Sequence, residues 1–211
     1  MTANVREITM SENQQTIGCI LMASGMSERY GRNKLLEPLE GREVILHTAG
    51  RLRSAGLRPL AVTRSPAVRA LMAREGFECV LHDGPRKGDT MRAGLQALPE
   101  DMAGYLFMPA DQPLVTPESL KTMIARFLSN PLRAVRLGFE DTAGSPVIFP
   151  AFCRQALMDY SGDRGGLDVL RAMQIPCDVV QAGHAWELWD VDTPEDMAKL
   201  REAVGQCTPR Q

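Results

Sequence analysis

Residues 16–39 read TIGCILMASGMSERYGRNKLLEPL, and this stretch decides the fold that the sequence predicts. The nearly continuous apolar run from Ile17 to Met22 is typical of a parallel strand that is covered on both faces. Ala23, Ser24 and Gly25 follow it, and such small residues allow a backbone to approach a polyphosphate with its N–H groups directed at the oxygens. The stretch therefore predicts a buried strand that opens into a phosphate-binding loop.

Two basic residues, Arg29 and Lys34, come shortly after this turn. A guanidinium fork and a mobile ammonium in this position can neutralise several phosphate oxygens. The stretch is not a P-loop, which ends in Gly-Lys-Ser/Thr, and it does not match the dinucleotide pattern GxGxxG, because only Gly25 and Gly31 are available. On composition alone, a structural turn that carries a solvated arginine and lysine fits the stretch equally well.

Predicted strands and helices alternate from this first strand to about residue 130. The alternation predicts an α/β fold of three layers, in which a mostly parallel sheet is wound with helices on both faces. The loops that begin at Ala23, Thr63, His82 and Ala110 all follow strands, so they would open on one edge of the sheet, where such folds bind ligands. The predicted helices span 43–54, 66–75, 89–98 and 117–128, and the predicted strands span 60–62, 77–81 and 105–108.

The rest of the chain is less regular. Two glycine-rich stretches, 141–145 and 161–166, are predicted to be loops. They are candidates for a pocket that binds a second substrate, the acceptor of a transferred group. No repeat or linker divides the chain, so we expect a single domain over residues 16–205. The predicted strands here span 133–137, 146–149, 177–181 and 187–191, and the predicted helices span 152–160, 166–173 and 194–204.

Composition limits the class of partner. A net charge of −2 and a pI near 6.0 argue against a broad surface for nucleic acid or anionic membranes. No apolar run approaches the roughly twenty residues that span a bilayer. The five cysteines are odd in number and dispersed, which is typical of reduced thiols in a cytoplasmic protein. Residues 1–15 are polar and lack the apolar core of a signal peptide, so we expect a flexible tail and a cytoplasmic location.

Asp111 stands directly after an apolar strand, at the edge of the sheet where a phosphate site would lie. Magnesium takes one or two carboxylates and completes its shell with phosphate oxygens and water, so a single acidic residue facing the first loop suffices. An aspartate after a strand also commonly closes a turn or caps a helix. Asp111 is therefore a candidate metal ligand with a structural alternative.

A second acidic group occurs in the stretch WDVDTPED at residues 189–196. On an extended segment Asp190 and Asp192 would share one face, so either could supply a second metal ligand. The alternative is that Asp192 or Thr193 caps the last helix, which begins near Pro194. Residue spacing alone does not choose between the two aspartates.

The ordered string at residues 23–39, small-Ser-Gly-x-Ser-x-Arg-aromatic-Gly-x-x-Lys-Leu-Leu-x-Pro-Leu, resembles the opening signature of the molybdopterin nucleotidyltransferase family, the MobA-like NTP transferases. Ala23-Ser24 in place of a Gly-Gly pair, and Leu35-Leu36 after Lys34, are most similar to its cytidylyltransferase branch. The string at 189–196 is similar to the family's Asp-Ile-Asp-Thr-Pro-Glu-Asp signature. Ala110-Asp111-Gln112-Pro113 resembles its Gly-Asp-x-Pro motif, with alanine in place of glycine.

Three further stretches resemble the family in part. Residues 82–94 are similar to its base-binding and ribose-binding loop, although His82 stands where the family usually has asparagine. Asp89, Thr90 and Arg92 keep the family pattern there. Residues 144–146 and 162–166 resemble the Gly-x-Pro and Gly-Asp-Lys/Arg-Gly segments that the family associates with its pterin acceptor.

The resemblance implies a Rossmann-like nucleotidyltransferase fold of the glycosyltransferase-A-like type. It also implies an Mg²⁺-dependent enzyme that transfers a nucleoside monophosphate, most simply CMP from CTP, to the phosphate of molybdopterin or the molybdenum cofactor and releases pyrophosphate. By the same resemblance Arg29, Lys34 and Asp111 are expected to be catalytic, and Asp111, Asp190 and Asp192 to bind metal. The residues expected to bind nucleotide or acceptor are Met22, Ala23, Ser24, Gly25, Thr63, Asp89, Thr90, Gly144 and Arg164.

Two alternatives remain open at this point. The same pocket could hold the molybdenum cofactor in a non-catalytic protein that delivers it to a molybdenum hydroxylase apoenzyme. The enzyme could also use GTP as donor, or another phosphorylated acceptor. The presence of Lys34, Asp111 and Asp192 argues against mere delivery, because pterin binding does not require residues for a metal and a triphosphate.

Overall fold

Seven of the nine strands in the described part of the chain form one sheet, and the other two form a short antiparallel pair. The computed structural model describes residues 16–25, 30–163 and 165–207. The predicted tail at residues 1–15 therefore lies outside the described residues. In chain order the strands are β1 (Ile17–Ala23), β2 (Pro38–Leu39), β3 (Arg42–Glu43), β4 (Pro59–Thr63), β5 (Glu78–Leu81), β6 (Gly104–Pro109), β7 (Ala134–Phe139), β8 (Thr142–Pro150) and β9 (Cys177–Gln181).

Some of the helices begin directly after residues whose side chains cap them. Ser65 and Thr116 accept hydrogen bonds from the backbone N–H three residues ahead, and a proline follows each of them at the first helical position. The α-helices are α1 (Val44–Ser54), α2 (Pro66–Arg74), α3 (Lys87–Ala97), α4 (Pro117–Ser129), α5 (Arg154–Asp159), α6 (Leu167–Ala172) and α7 (Pro194–Cys207), and the 3-10 helices are Lys34–Leu36, Ala151–Cys153 and Ala185–Leu188.

The main sheet has the strand order β5-β4-β1-β6-β8-β7-β9. Strand β1 pairs in parallel with β4 and β6, β4 pairs in parallel with β5, and β7 pairs in parallel with β9. Only β8 is antiparallel to its two neighbours within this sheet. The prediction of a mostly parallel sheet is confirmed.

Alternate residues of β1 face two different apolar cores. Cys19 and Leu21 pack with residues of α1, α2, α4 and α7, whereas Ile20 packs with residues of α3, α5 and α6. Because side chains alternate across a strand, the two cores lie on opposite faces of the sheet. This arrangement confirms the three-layer fold and explains why β1 is an almost continuous apolar run.

The carboxyl ends of β1, β4, β5 and β6 meet at one edge of the sheet, as predicted. Backbone and side-chain hydrogen bonds join them directly. The Thr63 hydroxyl donates to the Ala23 carbonyl at 2.8 Å, and the His82 N–H donates to the Thr63 carbonyl at 3.0 Å. The Ala110 N–H donates to the Met22 carbonyl at 3.1 Å. The loops that follow these strands therefore start from fixed, adjacent positions.

Two of the predicted elements are wrong. Residues 141–145 are not a loop, because β8 begins at Thr142 and pairs with β7. Residues 187–191 are not a strand, because the 3-10 helix Ala185–Leu188 precedes an irregular segment. Alternation of acidic and apolar residues suggested a strand there, but Val191 is buried within an irregular segment instead. The other predicted helices and strands are present, with ends displaced by a few residues.

None of the helices in the described ranges combines the length and the apolar character that crossing a bilayer requires.

The buried carboxylate of Glu187 explains the turn that replaces the predicted strand. Its side chain is only 1% exposed and accepts hydrogen bonds from the Thr116 N–H at 2.9 Å and the Thr116 hydroxyl at 2.8 Å. It also accepts from the N–H of Gly183 at 2.9 Å and of His184 at 3.3 Å. Glu187 thus joins the start of α4 to the segment that leads to Asp190 and Asp192.

We predict that Glu187→Gln lowers the free energy of unfolding by about 1–3 kcal/mol, because an amide nitrogen cannot accept the hydrogen bonds of the carboxylate oxygen that it replaces. Urea denaturation measures this change. Glu202→Gln on the exposed surface of α7 is the matched control and should leave stability nearly unchanged. Equal stabilities of the two variants would contradict the role given to Glu187.

Candidate functional site

A cleft of about 840 Å³ opens at the edge where the parallel strands end. Part of its lining is polar. The apolar part includes Phe107 and Phe149, whose rings meet edge to face with centroids 5.4 Å apart. Met91 and Val147 extend this apolar wall, which is continuous with the core between the sheet and α3. The cleft can therefore hold a ligand that has both a charged and a flat apolar part.

Lys34 lies at the polar end of the cleft. The 3-10 helix that carries it is capped by Asn33, whose side chain accepts from the Leu35 N–H at 3.1 Å. The Lys34 ammonium donates to Asp111 Oδ2 at 2.6 Å and to Asp192 Oδ1 at 2.7 Å, and the lysine side chain is only 8% exposed. Burial alone would lower the pKa of Lys34, but the two carboxylates outweigh burial and raise it above its ordinary value.

The two carboxylates reach Lys34 from distant parts of the chain. Asp111 follows β6, and its carbonyl accepts a hydrogen bond from the Val191 N–H at 2.9 Å. Thr193 caps α7, because its hydroxyl accepts from the Asp196 N–H at 3.2 Å while the Asp196 carboxylate accepts from the Thr193 N–H at 2.9 Å. Thr193 rather than Asp192 therefore caps the helix, which leaves the Asp192 carboxylate directed at Lys34.

Asp190 lines the same cleft. Part of its surface reaches solvent, yet desolvation within the cleft, together with repulsion from Asp111 and Asp192, raises the pKa of its carboxyl to about 6. A hydrogen bond from Gln112 and the charge of Lys34 oppose this shift only in part. The three aspartates thus concentrate negative charge around one buried ammonium.

Within the described ranges, no three His, Cys, Asp or Glu side chains are grouped so as to hold a metal ion by themselves. The Lys34 ammonium lies between the carboxylates of Asp111 and Asp192. Magnesium needs only one or two carboxylates when phosphate oxygens and water complete its shell. The oxygen donors of Asp111 and Asp192 therefore fit Mg²⁺ that arrives with a phosphate ligand.

The small-residue turn after β1 is held from two sides. The Ser24 hydroxyl donates to the Val62 carbonyl at 3.2 Å and lies 2.7 Å from His82 Nε2. The Ser24 carbonyl accepts from Arg64 Nε at 3.2 Å and from Arg64 Nη2 at 3.0 Å. The ends of β4 and β5 thereby set the position of the turn.

His82 is a supporting residue behind the cleft. Besides Ser24, its Nε2 lies 3.3 Å from the Thr90 hydroxyl, and its Nδ1 is buried without a hydrogen-bond partner. Burial and the nearby Arg64 guanidinium lower the pKa of His82, although Asp89 and Asp83 oppose the shift. The imidazole is therefore neutral at pH 7.

The second predicted acceptor loop does lie at the cleft, packed on the start of α3. The Gly88 N–H donates to the Gly162 carbonyl at 3.2 Å, and the Lys87 N–H donates to Asp163 Oδ1 at 3.4 Å. A side chain at Gly88 would bring its Cβ within 2.2 Å of the Tyr160 carbonyl oxygen. Gly88 therefore permits a close contact between two segments for which the sequence predicted different ligands. Residues 82–94 were predicted to bind the base and ribose, and residues 162–166 the pterin acceptor.

The structure brings eight of the predicted site residues together on the cleft wall. They are Met22, Ser24, Gly25, Lys34, Thr90, Asp111, Asp190 and Asp192.

Four predicted residues do not line the cleft, and each has a hydrogen-bond partner within the protein instead: Ala23, Thr63, Asp89 and Gly144. The Thr63 hydroxyl is fully buried and donates to the carbonyl of Ala23. Asp89 accepts from the Arg86 N–H at 3.0 Å and caps α3. The Gly144 carbonyl accepts from Arg136 Nε at 3.1 Å within the β7–β8 pair.

Arg29 and Arg164 lie outside the described residues. Their assignment to the site stays a prediction.

Sequence reasoning missed other residues of the cleft wall, chiefly Arg64, Gln112, Arg86 and Lys87. Arg64 directly follows β4 at the same edge as Ser24, so the rule that led to Asp111 would also have found it. Gln112 is 4% exposed, and its Oε1 has no hydrogen-bond partner among the described residues. Its burial depends on tertiary packing, which no local pattern reveals.

Comparison with known proteins agrees with this geometry. Residues 19–179 match the model of the MobA-like NTP transferase domain. The chain is 28% identical over 206 residues to 2-C-methyl-D-erythritol 4-phosphate cytidylyltransferase of Frankia casuarinae, with 90% of this chain and 70% of that protein covered. It is 24% identical over 200 residues to the probable molybdenum cofactor guanylyltransferase of Pyrococcus furiosus, with 89% of this chain and 97% of that protein covered.

A solved structure of similar shape is the manganese complex of Rv0371c from Mycobacterium tuberculosis H37Rv. Its TM-score to this chain is 0.75 at 25% identity, and the match covers 89% of this chain and 99% of the other. The family match spans most of the chain, and the same strands and loops carry the cleft. The chain therefore belongs to the MobA-like NTP transferase family of nucleotidyltransferases.

Proposed function

We propose that this protein is an Mg²⁺-dependent nucleotidyltransferase that transfers CMP from CTP to the phosphate of molybdopterin or the molybdenum cofactor and releases pyrophosphate. The observation that carries the proposal is the buried Lys34 ammonium between Asp111 and Asp192, beside a small-residue turn at the carboxyl edge of the sheet. A metal and a triphosphate require such a mixture of cation and carboxylates, whereas a neutral ligand does not.

Catalysis at this site is mainly electrostatic. The second pKa of a phosphate monoester is about 6, so the acceptor phosphate is already an anion at neutral pH and needs no strong general base. The backbone of Ser24 and Gly25 approaches the phosphates, and the Lys34 ammonium offsets their negative charge. Arg29 is expected to contribute a second cation to the same phosphates.

Asp111, with Asp192 or Asp190, would hold Mg²⁺ in this scheme. The bound ion would supply positive charge to the phosphate oxygens and to the leaving pyrophosphate. The manganese complex of the mycobacterial relative supports a divalent ion in this family. Metal titration of the single variants Asp190→Asn and Asp192→Asn identifies the second ligand, whose loss weakens Mg²⁺ binding.

The relatives and the cleft wall bear on the donor and the acceptor. The cytidylyltransferase from Frankia and the resemblance of residues 23–39 favour CTP, whereas the guanylyltransferase from Pyrococcus keeps GTP as the competing donor. The name of that same relative, and the apolar wall at Phe107 and Phe149, support a pterin acceptor. A molybdenum hydroxylase apoenzyme is the partner that would receive the product.

One experiment separates catalysis from mere delivery of the cofactor. The protein is incubated with each NTP in turn, Mg²⁺ and molybdopterin or the molybdenum cofactor, and pyrophosphate release is followed. We expect release with CTP and dependence on the acceptor. Tight binding of the cofactor without pyrophosphate release from any NTP would favour the delivery protein instead.

We predict that Asp111→Asn lowers Mg²⁺-dependent pyrophosphate release by about 100-fold or more, because it removes a charge that the metal and Lys34 share. The turnover number is measured at saturating Mg²⁺ and CTP. Asp159→Asn, an exposed position on α5, is the control and should retain full activity. Normal Mg²⁺-dependent transfer by Asp111→Asn would show that the metal assignment is wrong.

Lys34→Met tests the buried ammonium. Without it, the carboxylates of Asp111 and Asp192 face each other uncompensated, so we predict that the free energy of unfolding in EDTA falls by about 1–3 kcal/mol. Added Mg²⁺ should recover part of this loss, and CTP should bind more weakly than to wild type. Thermal unfolding and calorimetry measure the two effects.

Lys199→Met is the matched control for Lys34→Met, since Lys199 pairs with Asp196 at 3.8 Å on the exposed surface of α7. It should change neither stability nor CTP binding appreciably. Unchanged stability of Lys34→Met in EDTA, together with wild-type CTP affinity, would count against both roles of Lys34.

A further inference from the structure

Arg64 occupies a fixed position beside the small-residue turn. It is half-buried, lines the cleft and directly follows β4. Its Nε and Nη2 both donate to the Ser24 carbonyl, at 3.2 Å and 3.0 Å. Two contacts to one oxygen hold the plane of the guanidinium, so the group is ordered before any ligand arrives.

Among the described residues, no acidic side chain compensates the charge of Arg64. Lys34 forms ion pairs with Asp111 and Asp192, whereas Arg64 forms no ion pair with any residue in 16–25, 30–163 or 165–207. The other cations of the described cleft wall, Arg86 and Lys87, are exposed. Arg64 is thus the half-buried cation of the wall whose charge remains available to an anion.

Holding the Ser24 carbonyl uses only part of the donor capacity of Arg64. An arginine has five N–H donors, and the Ser24 carbonyl accepts from two of its nitrogens. No further hydrogen bond joins the guanidinium to the described residues, although it lines the cleft. A neutral donor would suffice to hold a carbonyl, so a structural role does not explain why a cation stands here.

The environment of His82 also indicates that Arg64 carries the positive charge beside Ser24. Its imidazole lies against Ser24, and the positive charge of Arg64 helps to lower the pKa of His82. Between these two side chains on Ser24, the positive charge therefore resides on Arg64. Its planar fork matches two phosphate oxygens.

We propose that Arg64 binds the polyphosphate chain of the donor nucleotide, with its fork on non-bridging phosphate oxygens, on the side of the turn opposite the metal-binding carboxylates. This inference rests on the proposed function and names a residue for the same site. It adds a cation at the end of β4 to the two that the proposed function already assigns to the triphosphate, Lys34 and Arg29.

Calorimetric binding of inorganic tripolyphosphate and of CTP, with the full chain and no acceptor, tests the proposal. We expect Arg64→Met to weaken both affinities by about 10- to 100-fold, since a charge-assisted fork to phosphate is lost. Arg64→Lys keeps the charge but loses the fork, so its affinities should lie between those of wild type and Arg64→Met. In turnover assays the KM for CTP should rise while the KM for the acceptor stays unchanged.

Arg53→Met is the matched control. Arg53 Nη2 also donates to a backbone carbonyl, that of Gly76 at 3.0 Å, but from α1 and away from the cleft. This variant should bind tripolyphosphate and CTP like wild type. Thermal unfolding shows whether each variant is folded. If Arg64→Met does not fold, the affinities of Arg64→Lys test the proposal.

Wild-type affinity of folded Arg64→Met for tripolyphosphate and CTP would overturn the assignment, and so would an equal rise of the KM for the acceptor. If Arg64→Met fails to fold, wild-type affinity of Arg64→Lys for tripolyphosphate and CTP would also overturn the assignment. If Arg64 variants lose tripolyphosphate binding but no NTP yields pyrophosphate with wild type, the proposed function fails while the role of Arg64 in binding stands.

Discussion

The ammonium of Lys34, shared between Asp111 and Asp192, is the interaction on which the arrangement of the cleft depends. It joins residues that are 77 and 158 positions apart in the chain. Each of the three side chains is carried by a different element: a capped 3-10 helix, the end of a central strand and the turn before the last helix. Because burying an ammonium without a carboxylate costs free energy, these three elements must place their side chains next to one another. The ion pairs therefore couple the folding of distant segments to the formation of a charged site.

The surrounding scaffold explains how such a charged group is tolerated. The segment that carries Asp190 and Asp192 is anchored by the buried Glu187 carboxylate and by the Val191 N–H on the Asp111 carbonyl. On the other side of the cleft, Arg64 and His82 hold Ser24 at the turn after β1. Nearly all of these contacts end on backbone atoms or buried carboxylates. The site is thus preorganised by the ends of strands, and little reordering is needed when an anion binds.

Local patterns predicted most of the fold because they report burial directly. The apolar run of β1 requires cover on both faces, and the caps Ser65 and Thr116 mark the starts of helices without reference to the rest of the molecule. Patterns were wrong at two places where pairing that they do not reveal overrides local preference. The buried carboxylate of Glu187 accepts from the N–H groups of Gly183 and His184 in its own turn and from Thr116, 71 positions away, and so favours a 3-10 turn over the predicted strand at 187–191. The glycine-rich residues 142–145 pair with β7 in a hairpin, although their composition is typical of a loop.

The sequence by itself determined that the chain forms a sheet covered on both faces, with its small-residue turn and Asp111 at one edge. Apolar runs reveal buried strands locally, and the alternation of strands and helices along the chain predicts their parallel order. Only the tertiary structure decided that Thr193 caps α7 while Asp192 faces Lys34, and that Thr63 and Asp89 support the site from behind. It also decided that Arg64 stands beside Ser24 with no acidic partner among the described residues. Charge compensation and hydrogen-bond partners depend on distances between segments that the chain brings together only on folding, and those distances follow from the packing of the whole domain.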